Sequence, residues 1–151
     1  MPPPNPVEAK SKYFSVEEAN KSLPLVKAIV GDIVSQFQIV NDLKARLIEV
    51  QRDRRRPAHD AYAEEIAQSQ SELEGEETKL HTYIEELTRL GVELKGPDGL
   101  CDFPSLRDGR EVYLCWRLGE TQVTHWHEKN AGFSGRQPID RSSTRTGHRP
   151  I

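Results

Sequence analysis

No run of eighteen apolar residues occurs in these 151 residues, so no segment reads as a membrane span. Basic residues hold no majority: 21 Lys and Arg stand against 24 Asp and Glu, a net charge of -3 with the signs interspersed. Nucleic acid is thereby excluded as the main partner, because no broad basic surface exists to displace counterions. Cysteine is scarce, two residues, enough for one disulfide. In a reducing compartment they read better as free thiols, or as one metal ligand. The opening Met1-Pro2-Pro3-Pro4-Asn5-Pro6 lacks the basic start and apolar run of a signal peptide. The expected compartment is therefore the cytoplasm.

What the chain does have is helix. Charged residues make up 30% and hydrophobic ones 35%, the balance of long helices with one buried stripe. Residues 1 to 12 are Pro-rich and then charged, and residues 140 to 151 show no apolar periodicity; both read as disordered tails. One domain is expected between them, over 13–139. Ser15-Val16-Glu17-Glu18 is a capping box. Pro24 predicts a short helix near 15–21 and a restart capped by Ser22. From there Val26, Ile33, Val40 and Leu47 repeat every seven, with Ile29, Leu43 and Val50 as the companion row, broken by Gln36. This helix ends at Arg54-Arg55-Arg56-Pro57.

A second helix follows to Leu90, with Gly91 as its cap. Ile66, Leu73, Leu80 and Leu87 form its stripe, and Tyr62, Tyr83 and Leu90 the other row. Similar lengths and a short link predict an antiparallel helical hairpin over 13–91. After Gly91 the period drops from seven to two. Val92–Lys95, Leu100–Pro104, Glu111–Leu118 and Gln122–Glu128 read as strands, separated by turns at Gly96-Pro97-Asp98-Gly99, Arg107–Arg110 and Gly119-Glu120. The fold class is α+β, a long hairpin with a small antiparallel β unit over 92–139. Its thin core suggests completion by a second copy, a homodimer.

The unusual residues gather between Cys101 and Ile139: both tryptophans, both cysteines and two of the five histidines. On a strand, His125 and His127 project from one face, roughly 7 Å apart, which suits one metal ion. Glu128 or Cys115 would supply a third ligand. A two- or four-residue turn sets Cys115 across from Thr124 and away from the histidines; a three-residue turn sets it across from His125 on their face. The competing reading packs both histidines beside Trp126, hydrogen-bonded to carboxylates. Arg110 and Arg136, with Trp116, could hold a small anionic ligand through planar guanidinium forks. Alternatively Arg136 pairs with Asp102, Glu111 or Glu128 and pins the Gly132–Gly135 loop to the sheet. Glu77, His81 and Glu85 share one side of the second helix and read as a solvated face. Cys101 beside Asp102 has a raised rather than a lowered thiol pKa, and no nucleophile is paired with a base.

Several runs resemble a known family: Phe14-Ser15-Val16-Glu17-Glu18-Ala19-Asn20, Leu23-Pro24 and Leu90-Gly91-Val92-Glu93-Leu94-Lys95 in the first hundred residues. Asp102-Phe103-Pro104, Gly109-Arg110-Glu111-Val112, Leu114-Cys115-Trp116, Gly119-Glu120, Trp126-His127 and Gly132-Phe133-Ser134-Gly135-Arg136-Gln137-Pro138-Ile139 follow. Over residues 13 to 139 the chain is similar to the bacterial domain-of-unknown-function family numbered 2203. The resemblance implies a small soluble bacterial domain and brings no established catalytic residues. The residues themselves point to a domain binding a divalent transition metal, zinc or iron, or a small anionic ligand. The rival is a structural module that assembles through its hairpin.

Overall fold

A computed structural model describes residues 12–52 and 60–139. The two expected disordered tails, Lys12 apart, and the expected helix end at residues 54–57 lie outside them. Two helices, α1 (Val16–Arg52) and α2 (Asp60–Arg89), precede a five-stranded antiparallel sheet. Its strands are β1 (Glu93–Leu94), β2 (Leu100–Arg107), β3 (Arg110–Arg117), β4 (His125–Glu128) and β5 (Gln137–Pro138), paired in chain order. The α+β class expected from the sequence is the class observed.

The capping box forms as the sequence predicts. The Ser15 hydroxyl accepts the Glu18 amide at 3.0 Å, and the Ser15 amide donates to Glu18 Oε1 at 3.0 Å. The expected break at Pro24 does not occur; α1 runs through it for 37 residues, about 55 Å. Pro24 is itself exposed, and the carbonyl it leaves without an amide donor is that of Asn20, one turn back. Ala19, Leu23, Val26 and Val30 are buried on either side of it, and that packing outweighs the local penalty. By length and composition alone α1 could cross a membrane, although it holds no unbroken run of eighteen apolar residues. Its apolar face is instead the core of this domain.

Gln36, the polar gap in the stripe, is 5% exposed and donates to the Glu76 carbonyl at 3.0 Å and to Glu76 Oε1 at 2.6 Å. It thus fixes the register of α1 against α2 within one chain. Near the hairpin tip the Tyr62 hydroxyl donates to the Val50 carbonyl at 2.9 Å. At the other end α2 closes in a Schellman motif: Gly91 has φ 91°, its amide reaches the Thr88 carbonyl, and the Val92 amide reaches that of Leu87. Val92 and Leu87, both buried, make the accompanying apolar contact.

The sheet has two unlike faces. Cys101 and Phe103 of β2, Val112, Leu114 and Trp116 of β3, and Trp126 of β4 form one core with Phe14, Ala19, Leu23, Val26, Val30 and Leu87. Alternation then sends Asp102, Tyr113, Cys115, His125 and His127 to the opposite face, away from the helices. Hydrogen bonds on either side of the α1 N-terminus tie it to the β unit. The Phe14 amide donates to the Pro104 carbonyl at 2.7 Å, and Asn20 Oδ1 accepts the Val123 amide at 2.7 Å.

Where the turn before β2 meets α1, the backbone comes closest at Gly99. Its φ is 93°, and a Cβ there would lie 2.7 Å from Leu118 Cβ and 3.1 Å from Val30 Cγ1. A Gly99→Ala substitution combines left-handed strain with overpacking and should lower stability by about 2–4 kcal/mol. Urea unfolding of the two proteins measures it, and an unchanged midpoint would remove this account of the turn.

Candidate metal centre

The register of β3 on β4 answers the parity question. Cys115 lies opposite His125, and Tyr113 opposite His127, so the thiol and both imidazoles share a face. The connection spans seven residues, 118–124, rather than two to four; its odd length gives the same parity as a three-residue turn. On the other side β2 places Asp102 directly opposite Cys115. One donor atom each from Asp102, Cys115 and His127 therefore lie within 4.8 Å of one another, and all three residues are buried.

Hydrogen bonds fix the imidazole. His127 Nδ1 is 2.7 Å from the Glu128 carbonyl oxygen, which only accepts, so Nδ1 carries a hydrogen. Nε2 lies 3.0 Å from Asp102 Oδ1, so that contact also holds one proton, on the ring or on the carboxyl. The second Asp102 oxygen faces the Lys95 ammonium at 3.5 Å, and the Cys115 sulfur lies within 4.8 Å of an Asp102 oxygen. Burial, then the neighbouring Asp102, pushes the Cys115 thiol up to about 11. The same two causes, in the same order, push Cys101 up to about 12. Neither is an activated nucleophile. Tyr113, its ring centroid 5.6 Å from that of His127, is also raised, by burial and then by Glu93, so its hydroxyl remains a donor.

The other candidate residues take different places. His125 is half-buried and shares the ligand face, with Nδ1 2.9 Å from the Thr124 hydroxyl, but it is outside the buried group. Glu128 pairs with Val112 in register and so projects to the helix side, where Arg110 holds it at 2.7 and 3.2 Å. Arg136 is clamped by Glu120 at 3.0 and 3.1 Å and donates to the Cys115 carbonyl at 3.3 Å. It pins the glycine loop, using a carboxylate the sequence reading did not consider. Trp116 lies in the helix-facing core and donates Nε1 to the Glu120 carbonyl at 2.9 Å. Arg110 is thus held by Glu128, and Trp116 and Arg136 are both held by Glu120. Glu77, His81 and Glu85 lie on α2, with His81 and Glu85 exposed and Glu77 3.6 Å from Lys44.

Sequence reading missed Asp102 as a ligand candidate, though a signal existed. Asp108 and Gly109, with φ 53° and 76°, form the two-residue β2–β3 turn, and that turn alone dictates that Asp102 faces Cys115. Asn20 of α1 also comes up to the β unit, where it binds the Val123 backbone from the helix side.

The chain matches the family model described as "Uncharacterized conserved protein (DUF2203)" over residues 12–139, and it belongs to that family. No curated protein and no solved structure matches it.

Burial and raised thiol pKa values together give an outcome for the metal-free protein. At pH 8 iodoacetamide should modify Cys101 and Cys115 at least about 100-fold more slowly than an exposed thiol, and both should react once the chain unfolds. Mass spectrometry of the alkylated protein reads this directly; fast native labelling of Cys115 would contradict its burial.

Proposed function

We propose that this domain binds a divalent transition metal, zinc first, through Asp102, Cys115 and His127. The observation that carries the reading is the buried group of three donors of three types within 4.8 Å. Thiolate, imidazole and carboxylate together suit zinc. Zinc-bound donor atoms lie about 3.3–3.7 Å apart, so the 3.0 Å His127–Asp102 contact needs only a small opening. The His127 Nδ1–H bond to the Glu128 carbonyl is the outer contact that aims Nε2 at an ion. A reducing compartment such as the cytoplasm would keep Cys115 available as a ligand. The committed partners of Arg110 and Arg136 make a small anion the weaker candidate.

Untagged protein should take up one zinc ion per chain, and His127→Ala or Cys115→Ala should abolish that uptake. Because the thiol proton and the His127–Asp102 proton must both leave, binding should release about two protons per ion near pH 7. Calorimetry in buffers of different ionisation enthalpy counts them. Affinity falls as the pH is lowered, because protons and metal compete for the same atoms. No uptake by the wild-type chain ends this proposal.

A second reading rests on the hairpin. Leu25, Ile39 and Ile48 of α1 are 53%, 43% and 50% exposed, and the α2 stripe residues Ile66 and Leu73 are only half-buried. Two helices alone leave that stripe thinly covered, and a second copy would complete it. Light scattering should then give twice the chain mass, reduced to the monomer by Ile39→Lys with Ile48→Lys. A monomeric wild type excludes this assembly.

A further inference from the structure

Three buried donors leave a tetrahedral ion one ligand short. We propose that Glu93 supplies that ligand and that Lys95 is a resident cation holding the place until a metal displaces it; this rests on the metal reading above. Strand β1 pairs Glu93 with Asp102, so the two carboxylates project from the same face of the sheet. The Lys95 ammonium bridges them, 3.3 Å from Glu93 Oε1 and 3.5 Å from Asp102 Oδ2. It also stands 4.7 Å over the Tyr113 ring. Two carboxylates and a π face are the surroundings of a cation position, and Asp102 is shared between it and the group with Cys115 and His127; Glu93 stands outside that group and joins it when the ammonium leaves. The protein fills the cation position with its own charge.

The partners differ in their freedom to move. Asp102 has a side chain 5% exposed and is held by His127, whereas Lys95 is 39% exposed at the rim. A flexible four-carbon stem lets the ammonium swing into water without disturbing the core. Glu93 is kept in place independently, since the Tyr113 hydroxyl donates to its two oxygens at 3.1 and 3.3 Å. Tyr113 is thus a positioning residue for Glu93. One positive charge against two carboxylates gives way to an ion that carries two, so exchange favours the metal only when its affinity exceeds that of the tethered ammonium. The site is selective against weakly bound cations by this competition.

The test compares zinc affinity, by competition with a chelator, for wild type, Lys95→Gln and Glu93→Gln. Cobalt(II) serves as the spectroscopic probe of coordination. Lys95→Gln should tighten zinc binding by about tenfold or more, because the competing charge is gone. Glu93→Gln should weaken it by about 10–100-fold while the Cys115 thiolate-to-cobalt band persists. Both side chains are partly exposed, Glu93→Gln is isosteric and Lys95→Gln shortens a side chain at the rim, so melting temperatures close to wild type are expected. If both variants bind zinc as the wild type does, the roles of Glu93 and Lys95 are overturned, while the three-ligand site stands. If the wild type binds no zinc, the metal reading falls and this inference with it. A Lys95→Gln variant that binds more weakly overturns the displacement role by itself.

Discussion

Strand alternation across a single hairpin register governs this molecule. Because Asp108 and Gly109 close β2 onto β3 with a two-residue turn, Cys101 faces Trp116 while Asp102 faces Cys115. The first pair belongs to the apolar layer beneath the helices, and the second to the polar face beyond. A slip of one residue would set Asp102 opposite Trp116, leaving either the carboxylate in the core or the indole in the polar layer. The apolar demand of the helix-facing core therefore also specifies the polar group, since only one register satisfies both. The two cysteines, fourteen positions apart in sequence, end on opposite sides of one sheet, and both are free thiols.

Burying polar groups on an uncovered sheet face is unfavourable unless every one finds a partner and something excludes water. Here the cover is made of long side chains rather than of another layer. Lys95 lies over Tyr113, and the guanidinium groups of Arg117 and Arg136 sit 4.3 and 4.6 Å from the Phe133 ring on its glycine loop. Glu120 ties that loop back through Arg136, against the penalty of burial, and its carboxyl is held below the usual range by the Arg136 and Arg117 donors. A cover of this kind opens by side-chain rotation, without unfolding the sheet.

Much of the architecture was legible in the chain itself. The heptad rows named Val26, Ile29, Ile33, Val40 and Leu43 among the buried residues of α1, the capping box and Gly91 marked helix ends, and the switch of period at Gly91 located the sheet. Pro24 misled because local propensity says nothing of the buried neighbours that hold a helix through it. Candidate donors were legible as types, in His127 and Cys115, but their grouping depended on register. His-x-His spacing drew attention to His125 and adjacency to Glu128, whereas the hydrogen-bonded neighbour of His127 is Asp102, 25 residues away. Proximity across strands is a property of turns, and the long 118–124 connection has no turn signature that sets its parity. Arg110 and Arg136 looked available for an anion because their partners, Glu128 and Glu120, come near only when the sheet and loop are folded.

The bracket between Asn20 and the Val123 backbone spans 103 residues of sequence. Closing so large a loop is entropically unfavourable, whereas the helical hairpin and the β2–β3 turn close over short ones. The strand that carries His127 begins two residues after Val123 and closes on β3 over the short 118–124 connection, so the long-range bracket secures a strand pair that is itself local. His127 follows both Asp102 and Cys115 in the chain, so during synthesis a chain stalled before β4 would carry the carboxylate and the thiol without their imidazole.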